Sequence, residues 1–326
     1  MQRVVSLALA LGACLVSTVT TGCKAPRTVT TGAHRSFRFE YEAVVKEFPA
    51  GAKGAPIWIP IPTSDDTQTI SNLEVAATVA HEIRNGGAYG NRYLYVEAPL
   101  GETPEIALKV ACDVTRRELT SLARLPGEPR VDRLLSGDRL APLSAEAKRR
   151  ANEAVAGRTG SDAMARGLYE RVLADVDYDK SGSGWGRGDL EYVCAAGKGN
   201  CSDFHALFIA MARSEEIPAL FEIGFPLPEG QPSGGVGGYH CWAWYEGSDG
   251  SWRPVDVSEA DKRPEKSDYF FGTLCANRVA FSRGRDLVLS PPQAGEPLNF
   301  LIYPYVEVDG SASAAKVETK FAFADI

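Results

Sequence analysis

A cysteine, a histidine and an aspartate in the second half of the chain have the types and the order needed for a nucleophilic centre. Cys201 follows Asn200, a favourable helix N-cap, and Asp203 stands three residues after that cap, as in a capping box. Apolar residues recur at helical spacing from Phe204 to Met211, which predicts a helix beginning at Cys201. A thiol there lies close to the positive end of the helix dipole and to unpaired backbone N–H groups, which favour the thiolate. We expect Asp203 to turn back toward the cap, away from the sulfur.

A thiolate needs a general base, and the base needs a group that orients it. His240 lies near the start of an aromatic, β-branched run, and Asp256 lies near the end of a second one. The connection between the two runs is rich in Gly, Ser and Asp, which predicts a β-hairpin. We expect His240 to face Asp256 directly across this hairpin, which requires a loop of odd length or a bulge.

This arrangement, with the Cys at a helix N-terminus and the His and Asp on adjacent strands, resembles the transglutaminase-like superfamily. That group includes transglutaminases, peptide N-glycanases and bacterial cysteine hydrolases. The motifs that carry the resemblance are Gly-Asn-Cys-Ser-Asp-Phe (199–204), Tyr-His-Cys-Trp (239–242) and Val-Asp (255–256). By this resemblance Cys201 would be the nucleophile, His240 the general base and acid, and Asp256 the group that orients the imidazole.

The resemblance also implies a fold and a reaction. It implies a papain-like domain with the nucleophile helix packed on an antiparallel sheet, and acyl transfer from peptide or protein amides through a thioester, with hydrolysis favoured over crosslinking. In transglutaminases a Trp upstream of the Cys helps form the oxyanion hole, which points to Trp185, although the spacing here differs. Asn200 and Trp242 are further candidates for the oxyanion hole or the cleft. The backbone N–H of Cys201, free at a helix start, is the expected oxyanion donor.

His205 is an alternative base, because it lies one helical turn after Cys201. It has no carboxylate in an obvious orienting position, so we interpret it as a hydrogen-bonded structural residue. A zinc site built from these two residues together with His240 and Cys241 is the other alternative. Neither CxxC nor HExxH spacing supports such a site.

A calcium site is suggested by the polar residues 177–182, which match the first positions of an EF-hand loop. Gly188 stands at position twelve, where such a loop needs a bidentate Glu, so the match fails at its strongest ligand. We therefore expect no metal and no other cofactor.

Length, composition and charge narrow the function classes. The chain has 326 residues, of which 44% are hydrophobic, and this gives room for two ordinary domains. The net charge of −7 argues against general nucleic-acid binding. The expected partner is a peptide or protein substrate. A non-catalytic binding or structural envelope module that retains the same fold is the alternative, and the intact set of Cys, His and Asp favours the enzyme.

The first 23 residues have the pattern of a signal peptide. Arg3 precedes an apolar run, and small residues then lead to Gly22 and Cys23. This end resembles a bacterial lipobox, which implies lipidation of Cys23 and a lipid anchor to the membrane; ordinary secretion is the alternative. Lys24 after the Cys implies the outer membrane in a diderm cell. We expect an exported protein on the periplasmic face of a bacterial membrane, with residues 24–35 as a tether.

Five cysteines follow the predicted lipidation site: Cys112, Cys194, Cys201, Cys241 and Cys275. Because the number is odd, at least one thiol stays free in an oxidising compartment. With Cys201 as that thiol, the other four could form no, one or two disulfides. A Cys194–Cys201 bridge is the rival pairing, and it would inactivate the nucleophile.

The remaining patterns predict an α+β protein. Apolar and polar residues alternate through much of 36–120, with Gly and Pro between the runs, which predicts a β-sandwich-like domain. Residues 121–142 are interpreted as a linker and 143–326 as the transglutaminase-like domain. We expect the short β segments near the C-terminus to complete the sheet of that second domain. The Gly- and Pro-rich loop 226–238, just before His240, is expected to be mobile and to gate the cleft.

Overall fold

The computed structural model of the protein describes residues 25–100, 105–312 and 315–326. The predicted signal peptide, with its lipidation site Cys23, lies outside these residues. The α-helices are α1 (Val131–Leu135), α2 (Ala145–Val155), α3 (Ser161–Asp175), α4 (Leu190–Ala196), α5 (Cys201–Ser214), α6 (Val257–Lys262) and α7 (Ser267–Phe270). The strands are β1 (Val29–Lys46), β2 (Gly54–Ile61), β3 (Gln68–Ala77), β4 (His81–Gly86), β5 (Asn91–Pro99), β6 (Glu105–Ser121), β7 (Asp177–Tyr178), β8 (Lys198–Gly199), β9 (Ala219–Pro226), β10 (Ser233–Gly235), β11 (His240–Glu246), β12 (Trp252–Val255), β13 (Arg278–Arg283), β14 (Tyr305–Val308), β15 (Ser311–Ala312) and β16 (Lys316–Asp325).

Within the described part of the chain, no helix has the length and apolar character needed to cross a membrane.

The N-terminal β domain consists of two five-stranded antiparallel sheets, and strands from the C-terminal part of the chain add to both. Their strand orders are β10-β16-β1-β6-β3 and β15-β14-β2-β5-β4. Along β1 the residues alternate between buried and partly exposed, as expected for a sheet with one face on a core. Phe39 of β1, Ile57 of β2 and Val114 of β6 belong to one buried apolar cluster. The predicted N-terminal β domain is therefore present.

The C-terminal strands correct our expectation for the second domain. Among the described strands after β12, only β13 joins the sheet of that domain, where it pairs with β9. Strand β14 pairs with β2, and β16 pairs with β1 from Phe37 opposite Asp325 to Lys46 opposite Lys316. Apolar packing explains the pairing of β16 with β1. The ring centroids of Phe321 in β16 and Tyr41 in the N-terminal core lie 4.7 Å apart. Strand β1 itself begins at Val29, inside the segment interpreted as a tether.

Helix α5 packs on β9 and β11 of a four-stranded antiparallel sheet of order β12-β11-β9-β13. Residues Cys201 to Arg213 of this helix are all buried, since α2, α3 and α4 cover the faces that the sheet leaves free. A helix that is buried all round is a core element and holds its first residue in a fixed position. The predicted α+β class, with this helix on an antiparallel sheet, is confirmed.

The loop 226–238 is less free than its composition suggests. Strand β10 lies within it and pairs with β16, with Gly234 opposite Phe323. The backbone N–H of Val236 also donates to Phe321 O at 3.0 Å. Gly and Pro favour turns, but they do not prevent the backbone from adding an edge strand to a nearby sheet. The loop that leads into His240 is therefore tied to the N-terminal sheet.

Candidate active site

The start of α5 has the capping arrangement expected from the sequence. Asn200 is the N-cap, and its backbone N–H donates to the Asp203 carboxylate at 2.9 Å. The same carboxylate accepts from two backbone N–H groups of the preceding Gly-rich loop, Gly186 at 2.6 Å and Gly188 at 2.9 Å. Asp203 is thus held at the cap, as predicted. Cys201 is the first helical residue and only 2% of its surface is exposed.

His240 and Asp256 are in contact, although not through the backbone register that we expected. His240 Nε2 lies 2.8 Å from Asp256 Oδ2, and both side chains are buried. The connecting loop has the predicted odd length, residues 247–251, but Ala243 stands opposite Val255, so His240 and Asp256 are not directly paired. Asp256 follows the end of β12 and is the N-cap of α6. The two side chains meet because Asp256 has left the hairpin, so the predicted direct pairing was wrong.

Burial, the imidazole and the carboxylate set the ionisation of the pair. Burial raises the pKa of Cys201, but hydrogen bonding with Cys241 and His240 and the charge of His240 hold this pKa well below its usual value. Burial lowers the pKa of His240, but Asp256 and Cys201 raise it to about 10. Because Nε2 contacts Asp256, Nδ1 is the nitrogen left to take the thiol proton. Both shifts favour a thiolate and an imidazolium at neutral pH.

The pH dependence of alkylation follows from these two shifts. The ordinary pKa of a cysteine thiol is 9. We expect iodoacetamide to alkylate Cys201 at a nearly constant rate from well below this pH up to about pH 10. In His240→Ala the sulfur loses its cation, so its pKa rises and the rate at pH 7 should fall more than about tenfold. Quantitative mass spectrometry of the Cys201 peptide measures this rate. A variant that keeps the wild-type rate at pH 7 would contradict the ion pair.

Arg278 is a site residue that sequence reasoning missed. Its Nη1 donates to Asp256 Oδ2 at 3.0 Å, the same oxygen that His240 contacts. Its guanidinium lies 4.7 Å from the centre of the Trp242 ring, and its other nitrogens donate to Cys275 Sγ at 3.2 and 3.4 Å. Burial raises the pKa of Asp256, but His240 and Arg278 lower it far below its usual value. No local spacing in the sequence indicates this contact.

Removing the buried cation should destabilise the fold. In Arg278→Met, Asp256 loses one of its two cationic partners in a buried site, and we expect the free energy of unfolding to fall by about 3 kcal/mol. Urea unfolding measures this as a lower midpoint with an unchanged slope. Arg38→Met, which breaks the partly exposed pairs with Asp113 and Glu74, is the matched control and should change stability less. Equal effects of the two variants would refute the role of burial.

His205 is a structural residue, as interpreted from the sequence. Its Nδ1 lies 2.7 Å from Cys201 O, and its Nε2 accepts the backbone N–H of Val257 at 3.1 Å. Since Nε2 is an acceptor, Nδ1 carries the proton and the ring is neutral. Burial lowers the pKa of His205, which keeps it neutral. The imidazole thus joins the start of α5 to the start of α6.

The predicted cleft residues are placed differently from our expectation. Trp242 has 0% exposure and its Nε1 donates to Glu222, so it lies in the core and not in the cleft. Trp185 is half-buried and its Nε1 donates to Gly182 O at 3.2 Å, within its own loop, which argues against an oxyanion role. Asn200 remains at the site, where its Nδ2 donates to the Tyr239 hydroxyl at 3.0 Å. Trp242 lies two residues after His240 in β11 and so shares its face of the strand, but the sequence could not show that this part of the face is covered.

A cavity of about 420 Å³ lies on the side of His240. Its walls come from α6, from the segment 263–278 and from residues 226–229 at the end of β9. The N-terminal half contributes Glu118, which accepts the hydroxyl hydrogen of Tyr269 and that of Thr31. The two halves of the chain therefore share one cavity next to the imidazole.

The five cysteines among the described residues are all free: Cys112, Cys194, Cys201, Cys241 and Cys275. The rival Cys194–Cys201 bridge is absent, so the sulfur at the start of α5 is available. No group of three or more His, Cys, Asp or Glu side chains in the described ranges is arranged to hold a metal ion. Asp179, from the segment that resembles an EF-hand loop, forms an ion pair with Lys198 at 3.0 Å.

Comparison with known sequences gives two findings. A family model described as the transglutaminase-like superfamily matches residues 148–257. An uncharacterised protein of Haemophilus influenzae is 31% identical over 175 residues, which cover 44% of this chain and 47% of that protein. The chain thus spans about half the length of the curated relative that it matches.

Solved structures resemble the fold. A structure from Cytophaga hutchinsonii, described as a candidate cysteine protease, has a TM-score of 0.59 at 13% identity and covers 90% of this chain and 98% of its own. The periplasmic domain of TgpA from Pseudomonas aeruginosa has a TM-score of 0.37 at 14% identity, covering 75% of this chain and 97% of its own. The first of these likenesses extends over nearly the whole chain.

Proposed function

Because residues 148–257 of this chain form a domain of the transglutaminase-like superfamily, we propose that the protein hydrolyses peptide or protein amides with Cys201 as the nucleophile. One observation carries the proposal: the His240–Asp256 contact of 2.8 Å beside a free sulfur at the first residue of a buried helix. A nucleophile, its base and the group that orients the base are the parts that acyl transfer requires.

The reaction has two steps. The Cys201 thiolate attacks the carbonyl carbon of the amide, and the carbonyl electrons move to oxygen. When the oxyanion collapses, the C–N bond breaks and the imidazolium of His240 gives its proton to the leaving amine. His240, now neutral, takes a proton from water as the water attacks the thioester carbon. When this second adduct collapses, the C–S bond breaks, the carboxylic acid leaves, and Cys201 is again a thiolate beside the imidazolium. Asp256 stabilises the imidazolium and keeps its Nε2 side fixed.

Hydrolysis is the proposed outcome, and transfer to an amine is the alternative. The description of the Cytophaga relative as a candidate cysteine protease supports water as the second nucleophile. The purified chain can be incubated with a peptide mixture in ¹⁸O-labelled water with an added primary amine. New C-termini that carry ¹⁸O indicate hydrolysis, and amine adducts indicate transfer. No product from a preparation whose Cys201 is alkylated by iodoacetamide would favour a non-catalytic binding module.

We propose that the protein is exported and anchored by a lipid at Cys23. The support is the sequence alone: a basic residue, an apolar run and Gly22-Cys23. Fatty-acid labelling in a bacterial host would test it, since Cys23→Ser should lose the label and appear in the soluble fraction. An unlabelled wild-type protein would leave ordinary secretion as the explanation of the segment.

A further inference from the structure

Tyr239 places its hydroxyl at the residues that flank the candidate nucleophile. The hydroxyl oxygen lies 3.0 Å from Asn200 Nδ2 and 3.2 Å from Ser202 Oγ, the two neighbours of Cys201 in sequence. A third contact, with Gly186 O, is 3.4 Å long. The ring is held by Phe300 and Tyr303, whose centroids lie 5.8 and 6.0 Å away.

The hydroxyl hydrogen faces two neutral acceptors, Gly186 O at 3.4 Å and Ser202 Oγ at 3.2 Å, which a substrate oxygen would displace. Asn200 Nδ2 can only donate, so the tyrosine oxygen is the acceptor in that contact and its own hydrogen points elsewhere. The contact with Gly186 O is at the limit of a hydrogen bond, and a negatively charged oxygen would be a much stronger acceptor. Donation from Asn200 also polarises the O–H group and strengthens it as a donor.

The attack step needs donors for the developing oxyanion, usually two. The backbone N–H of Cys201 is one, because the first residue of a helix has no intrahelical acceptor. The indole N–H groups of Trp185 and Trp242 are engaged by Gly182 O and Glu222. We propose that the O–H group of Tyr239 is the second oxyanion donor of this site.

The proposal rests on the proposed amide hydrolysis and assigns one atom in its first step. The sulfur–carbon bond forms as the carbon–oxygen double bond becomes single, and the oxygen accepts hydrogen bonds from Cys201 N–H and Tyr239 O–H. The tyrosine proton is not transferred. Burial, together with the negative charge of Cys201, raises the pKa of Tyr239, so the hydroxyl stays protonated while it donates.

Tyr239→Phe tests the assignment, because it removes the hydroxyl and keeps the ring. We expect kcat to fall on the order of 10²- to 10³-fold with KM within about twofold, since the lost bond exists only in the transition state. Alkylation of Cys201 by iodoacetamide should keep its wild-type rate, because that substitution forms no oxyanion. Tyr93→Phe removes a buried tyrosine hydroxyl from β5 and is the matched control, expected to keep the wild-type kcat.

A peptide aldehyde separates this inference from the proposed function. Acetyl-leucyl-leucyl-norleucinal adds to a cysteine as a tetrahedral hemithioacetal, whether or not the enzyme turns over amides. Its affinity should fall in Tyr239→Phe by a factor similar to that on kcat. Unchanged aldehyde affinity would overturn the tyrosine's role, and so would a parallel loss of alkylation, which would mean that Tyr239 only positions the sulfur. If the wild-type protein binds the aldehyde more tightly than Tyr239→Phe does but cleaves no amide, only the proposed hydrolysis is refuted. The role of the tyrosine would then stand.

Discussion

Replacing Cys201 by alanine is expected to abolish amide hydrolysis and to remove the main site of iodoacetamide alkylation at neutral pH. The physical reason is that the Cys201 sulfur forms the thioester in the proposed reaction, and the imidazolium beside it keeps it as a thiolate. Loss of the nucleophile in such a triad costs on the order of 10⁶ in kcat. Turnover assays and mass spectrometry of the alkylated peptides measure the two effects.

The matched control is Cys194→Ala. Cys194 is also free and is half-buried, but burial raises its pKa, so it is a neutral thiol at pH 7. This variant should keep wild-type turnover and leave alkylation of Cys201 unchanged. Turnover that survives in Cys201→Ala, or that disappears in Cys194→Ala, would place the nucleophile elsewhere.

Replacing Asp256 by asparagine should have the second-largest effect, a fall in kcat of about 10⁴-fold. The asparagine keeps an oxygen that can cap α6, where Asp256 now accepts the Glu259 N–H at 3.2 Å. It loses the charge that chiefly raises the pKa of His240. The imidazole then becomes neutral at a lower pH, the thiolate loses its counter-ion, and alkylation at pH 7 should slow down and recover at higher pH.

Asp179→Asn is the control for Asp256→Asn. Asp179 pairs with Lys198 near the surface, away from His240, so the variant removes a carboxylate without touching the imidazole. It should keep the wild-type kcat and the wild-type pH profile of alkylation. If Asp256→Asn retained more than a tenth of the wild-type kcat, the carboxylate would not be needed to orient the base.

Local sequence was sufficient for the start of the helix. Asn200 and Asp203, three residues apart, form the hydrogen bonds of the capping box with each other's part of the chain. The cap and the position of Cys201 therefore follow from short-range interactions. The same holds for the odd-length loop between β11 and β12, which is a property of the residues between two adjacent strands. The resemblance to the superfamily then indicated His240 and Asp256 as the partners of Cys201, because the three residue types occur in the order typical of that superfamily.

The tertiary structure decided everything that depends on which apolar faces meet. The alternation of apolar and polar residues in β16 does not show which domain the strand completes, since the sheets of both domains would accept an apolar strand. Strand β16 pairs with β1 because Phe321 packs in the N-terminal core. The sequence likewise gives no sign that Arg278 reaches Asp256, or that Tyr239 reaches the residues around Cys201. Interactions between neighbours in sequence are fixed by local geometry. The contacts of Arg278 and Tyr239 form only when the chain folds into one of several possible arrangements of buried surfaces.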